Sequence, residues 1–536
     1  MRKQQERETE EAPGDAIDKG HPRRWAALAV VALGVFVTTL DGTIVNIALP
    51  SLSADLGATT RELQWIVDSY LLVFAGLLLA AGGLGDRFGR KRSLIIGLAI
   101  FGITSAFAGS VDTPTELIIG RALMGIGAAG IFPATLAIIT NMFADPTERA
   151  KAIGIWAATS GIGVAAGPIS GGWLLENFWW GSVFYINVPI AIIAIIATVF
   201  VVPESRDEDV PRMDRVGLLL SIASITAIVF TIIEAPEFGW LSGVTFAGFV
   251  ASTVLLATFV WWELRVENPL LPVRIFKNLR FSAASVAVTS AFFALFGFIF
   301  LITQYFQLVR GYSPLEAGIR TLPVAFAIAA ASIISPLLVE RIGTKYVVSG
   351  GLATMAIGFA WVAAASATTP YLEIVGQMLL LGGGLGATTA PATESIMGSL
   401  PVEKAGIGSA VNDTTRELGG TLGVAVIGSI FSSVYVNTLA DGPIFSSLSG
   451  EARTVTEESV VGAGNVAQTL GPDAQRFFTE VSDAFLAGQA VACLVVAGVA
   501  VAGALFALRF LPARAEGDEL ILSETEVDFE LALSMN

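Results

Sequence analysis

One cysteine, Cys493, and one histidine, His21, are the whole supply of those two side chains in 536 residues. A single thiol excludes an intrachain disulfide and a cysteine metal cluster, and His21 stands in a polar leading stretch, so no metal site and no cysteine-histidine chemistry is expected. No GxxxxGK[ST] segment occurs, so the chain has no phosphate-cradling loop with which to use ATP. Charge is scarce as well: 14% of the residues are Asp, Glu, Lys or Arg, whereas soluble proteins carry about 25%. An ordinary soluble enzyme is thereby excluded. What the chain has instead is apolar residues, 54% of the total, arranged in long runs that suffice for a dozen or more spans at about 20 residues each. The class is an all-α polytopic membrane protein. The 56 glycines and 22 prolines fit that class, because both residues are commoner in membrane helices than in soluble ones.

Apolar runs bounded by charged or turn-rich segments predict six helices near 25–49, 63–83, 93–110, 115–140, 150–175 and 182–202. Two more follow near 216–234 and 241–262, then six near 282–305, 317–338, 346–367, 371–398, 405–435 and 483–511, fourteen in all. With both termini on the cytoplasmic side, 24 of the 31 Lys and Arg fall in tails and inner loops, five on the outer side and two within the membrane, the bias that sets topology. The stretch ahead of the first span is too polar for a signal peptide and no small-residue cleavage site follows, so the first helix is expected to remain and insert itself. The net charge of −15 owes much to residues 515–536, with seven acidic and no basic side chains, which read as a solvated tail. The long outer segment 436–482 is polar; from Asp473 on it is expected to form an interfacial helix.

The chain repeats itself. Leu84-Gly85-Asp86-Arg87-Phe88-Gly89-Arg90-Lys91, between helices two and three, recurs 254 positions on as Leu338-Val339-Glu340-Arg341-Ile342-Gly343-Thr344-Lys345, between helices ten and eleven. A second echo, Glu148-Arg149-Ala150 against Glu403-Lys404-Ala405, opens helices five and thirteen. Two six-helix halves, 25–202 and 282–511, are implied, with helices seven and eight inserted in a linker at 203–281, a leading tail at 1–24 and an acidic tail at 512–536. Parallel half-repeats in a helical membrane protein point to alternating access around a central site.

Three further segments carry a resemblance. GGLGDRFGRKR at Gly82 to Arg92 combines turn glycines with an acid and a basic cluster. Gly154, Gly163, Gly167-Pro168 and Gly171-Gly172 form a spaced small-residue pattern, in which small residues admit a neighbouring backbone and Pro168 frees a carbonyl and bends the helix. LDGTIVNIALP at Leu40 to Pro50 is followed by ELQWIVDSYLL at Glu62 to Leu72. Together these resemble the major facilitator superfamily, and within it the fourteen-helix drug:proton antiporters, over nearly the whole chain. The resemblance implies that Gly83, Asp86, Arg87, Gly89, Arg90 and Lys91 form a conformational latch between the halves in the outward-open state. It also implies that Gly154, Gly163, Gly167, Pro168, Gly171 and Gly172 are the antiporter fingerprint. The alternatives are a topogenic basic loop and generic helix packing. Trp179-Trp180-Gly181 departs from the family, which often has an arginine there.

Ionisable groups at membrane depth are costly, about 2.5 to 3.5 kcal/mol at the centre of a helix on insertion scales, and so usually line a cavity. Asp41, Arg121 and Asp68 lie at similar depths in the outer half and are expected to couple protons to transport, with Arg121 exchanging between the two acids or between a carboxylate and water. The alternatives are a static ion pair for Asp41 and Arg121, and a solvated rim position for Asp68. In helix thirteen, Asp413 and Glu417 share a face and Arg416 can pair with Asp413. Recognition of a cationic or zwitterionic substrate is expected there, or carriage of a second proton, or else a structural salt bridge. Glu394, Phe296, Gln304 and Gln307 complete the candidate binding set, Phe296 within an aromatic stripe with Phe292, Phe293 and Phe300 that either lines a pocket or faces lipid. The expected function is export of lipophilic, cationic compounds across the cytoplasmic membrane in exchange for protons, or of an endogenous metabolite, antibiotic or lipid by the same mechanism. A transport-dead sensor or scaffold is a weaker reading. Expected partners are the small molecule, protons and the lipid bilayer, with no cofactor, no nucleic acid and a monomeric chain.

Overall fold

The computed structural model describes residues 21–206, 213–400 and 405–513. Most of the leading tail, Glu403 and Lys404 of the second echo, part of the linker and the acidic tail lie outside the described residues. The described chain is helical, with no strand among the described residues. The long helices are α1 (Arg24–Leu56), α2 (Thr60–Phe88), α3 (Arg90–Ala108), α4 (Pro114–Met142), α5 (Pro146–Asn177), α6 (Asn187–Val201), α7 (Arg215–Phe238) and α8 (Gly243–Glu263). They continue as α9 (Leu279–Gln304), α10 (Leu322–Ile342), α11 (Thr344–Val362), α12 (Tyr371–Met397), α13 (Ala405–Ala440) and α14 (Ala474–Phe510).

Helix starts follow local chemistry. Thr59 and Glu62 form a reciprocal capping box at α2, and Asp145 ahead of Pro146 accepts from the Glu148 N–H at α5. Asn278 does the same for the Arg280 and Phe281 N–H groups at α9. Among the described residues, thirteen helices are long and apolar enough to cross a membrane. α12 is not among them despite its 27 residues, because Gly376, Gly382, Gly383, Gly384 and Gly386, with Thr388, Thr389 and Thr393, dilute its hydropathy. The fourteen-helix expectation therefore rests, for this element, on packing and not on apolarity.

Three boundaries differ from the sequence reading. α1 runs through Pro50 to Leu56 and stops at Gly57, φ 67°. Asp41 consequently sits midway along a 33-residue helix instead of in its outer half. The tenth span breaks at Thr321 into a short helix, Pro314–Arg320, and α10. The region from Asp473 is not a separate interfacial helix but the start of α14, and the segment before it folds into short helices Pro443–Ser447, Glu451–Glu458 and Val460–Thr469.

The two halves pack alike. α2 with α4, α1 with α5, α3 with α4, α3 with α6 and α1 with α6 have counterparts in α10 with α12, α9 with α13, α11 with α12, α11 with α14 and α9 with α14. The repeat extends to single bonds: Gly89 (φ 119°) and Gly343 (φ 88°) make equivalent left-handed turns. The next N–H groups, of Arg90 and Thr344, donate to Ser205 and Ala513 just beyond the last helix of each half. α7 lies against both α2 and α13, and α8 against α7.

The halves are joined at the end of the bundle away from the termini. Among the described residues, every hydrogen bond between them lies there: Ser53 with Ser459, Thr60 to the Glu458 carbonyl, Gln64 to Ala425 and Ser429, Gln307 to the Ile47 carbonyl, and the Leu315 N–H to Glu176. Towards the terminus side, a Cβ at Gly154 or Gly161 of α5 would meet no atom within 4 Å. A cleft between the halves opens to that side.

Candidate functional site

The deepest charges of the first half form one network. Arg121 of α4 and Asp41 of α1 are both buried and joined by an Nη1–Oδ2 ion pair of 2.5 Å. The other Asp41 oxygen accepts from Asn187 Nδ2 at 2.9 Å, and Asn187 also donates to Ser105 Oγ at 3.1 Å. Arg121 Nε donates to the Ile66 carbonyl at 3.1 Å, and the guanidinium carbon lies 4.2 Å from the centre of the Tyr70 ring. Both Asp41 oxygens are thus satisfied, as a buried carboxylate requires.

Asp68 differs. It is buried in α2, and neither carboxyl oxygen has a hydrogen-bond partner. It stands one turn from Gln64 on the same helix face, and Gln64 bonds α13. Of the two acids offered to Arg121, the guanidinium holds Asp41 and leaves Asp68 alone. The solvated rim position considered for Asp68 is excluded by its burial.

In the second half, Asp413, Arg416 and Glu417 are half-buried. Arg416 makes no ion pair with Asp413, contrary to the simple three-residue expectation. It stacks over Phe292, 5.3 Å from the ring centre, and donates to Thr393 Oγ1 at 3.3 Å, while its Nε is buried without a partner. Asp413 accepts instead from Asn412 at 3.4 Å. Among the described residues no hydrogen bond or ion pair reaches the Glu417 carboxyl.

The remaining candidates separate. Phe296 is half-buried, against Gly420 of α13 and tilted on Phe292 at 6.4 Å, whereas Phe293 and Phe300 are core. Gln304 turns back on its own helix to the Phe300 carbonyl at 2.8 Å, and Gln307 crosses to α1 at the Ile47 carbonyl at 2.9 Å, at the far closure and not in the cleft. Glu394 is exposed near the end of α12.

In the α2–α3 loop, Asp86 pairs with Arg90 at 2.7 Å, the Lys91 amine donates to the Val199 carbonyl at 2.8 Å, and Arg87 is exposed above Phe88. Gly83 faces open space, and Gly89 makes the turn beside Glu204. Among the described residues these polar contacts stay within the first half. On α5, Gly163, Gly167 and Gly171 lie against Thr39, Thr43 and Ile47 of α1, each a turn apart, and Gly172 against Pro314 and Leu315 of the second half. Pro168 borders Gly318, and Gly154 is open.

Asn187, Ser105 and Tyr70 were not among the sequence candidates. Asn187 has a visible signal, an amide opening the apolar run of α6; Tyr70 and Ser105 have none, being ordinary membrane-helix residues until the helices assemble.

Two similarly packed helical halves, with ionisable groups buried inside the first and half-buried in the second, have the architecture of a secondary transporter. The chain belongs to the major facilitator superfamily, whose profile matches residues 31–424. It is 37% identical over 490 residues to the multidrug efflux pump LfrA of Mycolicibacterium smegmatis, covering 90% of this chain and 96% of that one. It is 33% identical over 508 residues to the tetracenomycin C resistance and export protein of Streptomyces glaucescens, covering 93% of each, and 35% identical over 424 residues to the puromycin resistance protein pur8 of Streptomyces alboniger, covering 78% and 84%. Among solved structures, a bacterial homologue of the human lysosomal transporter Spinster, inward-facing and unoccupied, superposes with a TM-score of 0.65 at 16% identity over 92% of this chain and 99% of that one. The D-xylose-proton symporter superposes at 0.57 and 16% identity, over 91% and 98%. The protein is a transporter, not an enzyme.

Proposed function

We propose that the chain exports lipophilic, cationic drugs or toxic compounds from the cytoplasm in exchange for protons, with both termini cytoplasmic, no cofactor and the monomer as the working unit. The observation that carries the coupling is the pair of buried acids, one holding Arg121 and the other without a partner. Burial favours the neutral form of a carboxyl and an adjacent guanidinium favours its ionised form. Protonation of Asp41 releases Arg121, Asp68 receives it and gives up its proton, and the helices that carry these groups shift with the exchange. The Lys and Arg bias supports assigning the terminus side to the cytoplasm; the cleft then opens inward to receive cargo, and Glu417, Asp413 and the Phe292–Phe296 surface face it. The α2–α3 loop is the latch of the opposite state, disengaged here. The names of the relatives support a drug as cargo.

Purified protein in sealed vesicles, given tetraphenylphosphonium and an imposed pH gradient, is expected to move the cation at least about tenfold faster than after the gradient and voltage are collapsed, each transported charge being worth about 2.3 kcal/mol per 100 mV. Equal flux after collapse overturns proton coupling. Asp413→Asn with Glu417→Gln is expected to raise the KM for the cation by about ten- to a hundredfold, the worth of a charged contact, and to spare a neutral lipophilic compound. Unchanged cation KM removes the recognition role. The tetracenomycin C exporter among the relatives favours a second reading, export of an aromatic natural product; preference for a neutral polyaromatic over every cation in the same vesicles selects it.

A further inference from the structure

Pro168 has no N–H, so the Val164 carbonyl one turn earlier in α5 has no helical donor. The hydroxyl of Thr43 in α1 lies 3.2 Å from that oxygen. The same hydroxyl is also 3.2 Å from the Leu40 carbonyl and 3.3 Å from that of Thr39, both within its own helix. Those two carbonyls already accept from helical N–H groups, so the single hydroxyl proton is best used on Val164. Long helices here also contain Pro50, Pro133, Pro236, Pro336 and Pro391. Among the described residues, only the carbonyl freed by Pro168 is met by a side chain from a different helix.

Thr43 stands two residues beyond Asp41, on the face turned to α5 and not to α4. Gly167 brings the two backbones together at this level: a Cβ there would lie 2.9 Å from the Ile44 nitrogen and 3.0 Å from the Leu40 oxygen. On the other side of the proline is a small apolar cavity of about 40 Å³, lined by Thr43, Val164, Pro168 and, from the second half, Ile299, Thr303 and Ile328. The bend in α5 therefore borders a small void on the side where the halves meet.

We propose that Thr43 is a positioning residue that couples α5 to α1 at the level of Asp41. Its proton is given to Val164 in the inward-open state and returns to a carbonyl of its own helix when α5 moves in the opposite state. The hydroxyl thus links the ion-pair exchange on one face of α1 to the proline bend on the other. The transport arm of the test rests on the exporter reading; the labelling arm reads conformation alone, so the two fail separately.

The test uses the full chain with Cys493→Ala and Gly161→Cys, which places a thiol where α5 faces open space, and a hydrophilic maleimide applied from the terminus side. Thr43→Val, isosteric but without the hydroxyl, is expected to slow labelling and to lower the turnover of proton-driven export, each by about tenfold, the scale of leaving a buried acceptor unpaired, with KM unchanged. Thr43→Ser restores both to within about twofold, since the hydroxyl is retained. In a Pro168→Ala background, where α5 regains its own N–H donor, Thr43→Val adds less than about twofold, as coupled residues in a double-mutant cycle should. An equal effect of Thr43→Val in both backgrounds, failure of Thr43→Ser to restore function, or unaltered labelling in Thr43→Val overturns the proposal. If Thr43→Val fails to fold, the same cycle is run with Thr43→Ala, and additivity there overturns it equally.

Discussion

Replacing Asp41 with asparagine is expected to cut proton-driven export by at least about a hundredfold while the protein still folds as a membrane bundle. Asparagine keeps the volume and leaves an acceptor for Asn187, but strips Arg121 of its counter-ion at a position only 1% exposed. The guanidinium would retain just the Ile66 carbonyl and the Tyr70 ring. Removing one member of a buried pair costs about 3–5 kcal/mol, and a group that cannot titrate cannot carry a proton. The measurement is gradient-driven efflux and proton release in vesicles, with downhill exchange of the same substrate as the control for folding. Asp68→Asn separates coupling from packing. It replaces a buried carboxyl with two unpartnered oxygens by a neutral amide, so thermal stability is expected to hold or rise, yet proton-driven export falls if Arg121 must visit this site. Full export in Asp68→Asn, or in Asp41→Asn, leaves the pair as a packing device and ends the exchange mechanism.

The positions of the membrane charges along their helices were legible because a charge inside an apolar run has no other explanation than function or a partner. Asp41, Asp68, Arg121, Asp413, Arg416 and Glu417 all stand out in this way. Which acid Arg121 would choose was not legible, since depth along a helix says nothing of the azimuth at which helices face each other, and azimuth puts Asp41 before Arg121 and leaves Asp68 without a partner. For the same reason Arg416, three residues from Asp413 on one helix, goes to Phe292 and Thr393 on two others. The end of α1 was misjudged at Pro50 because proline stops helices in water, whereas a membrane helix can run on through it. α12 shows the complementary effect: its glycines lower its apolarity and at the same time let it lie close to α10 and α11, where a Cβ at Gly382 or Gly384 would press on the neighbouring backbone. The half-repeat was legible because the Gly89 and Gly343 turns need glycine's positive φ, a backbone demand that writes itself into the residues.

The largest conformational effect is expected from Gly318→Val. The short helix Pro314–Arg320 closes the far side by lying against α5, and the contact is made of backbone. A Cβ at Gly318 would fall on the Pro168 carbonyl group, with the Ile169 nitrogen 3.3 Å away, and a Cβ at Gly172 would lie 2.6 Å from both the Pro314 oxygen and the Leu315 Cα. Small residues permit such approach between helices. Valine at 318 cannot be relieved by a rotamer change of its neighbours, because what it strikes is main chain, so the halves must part on this side. Overpacking of a close contact costs about 1–3 kcal/mol, which shifts a balanced two-state equilibrium by about ten- to a hundredfold towards the outward-open form. A thiol introduced by Thr303→Cys, at a position buried between the halves, should then become reactive from the far side, while one introduced by Gly161→Cys loses reactivity from the terminus side. Turnover falls with the population that can receive cargo, and Gly318→Ala shows an intermediate shift. Gly350→Val, also within a helix but with no atom within 4 Å of its Cβ, should leave both reactivities where they were. Equal labelling in Gly318→Val and Gly350→Val would mean that this contact does not set the closed state.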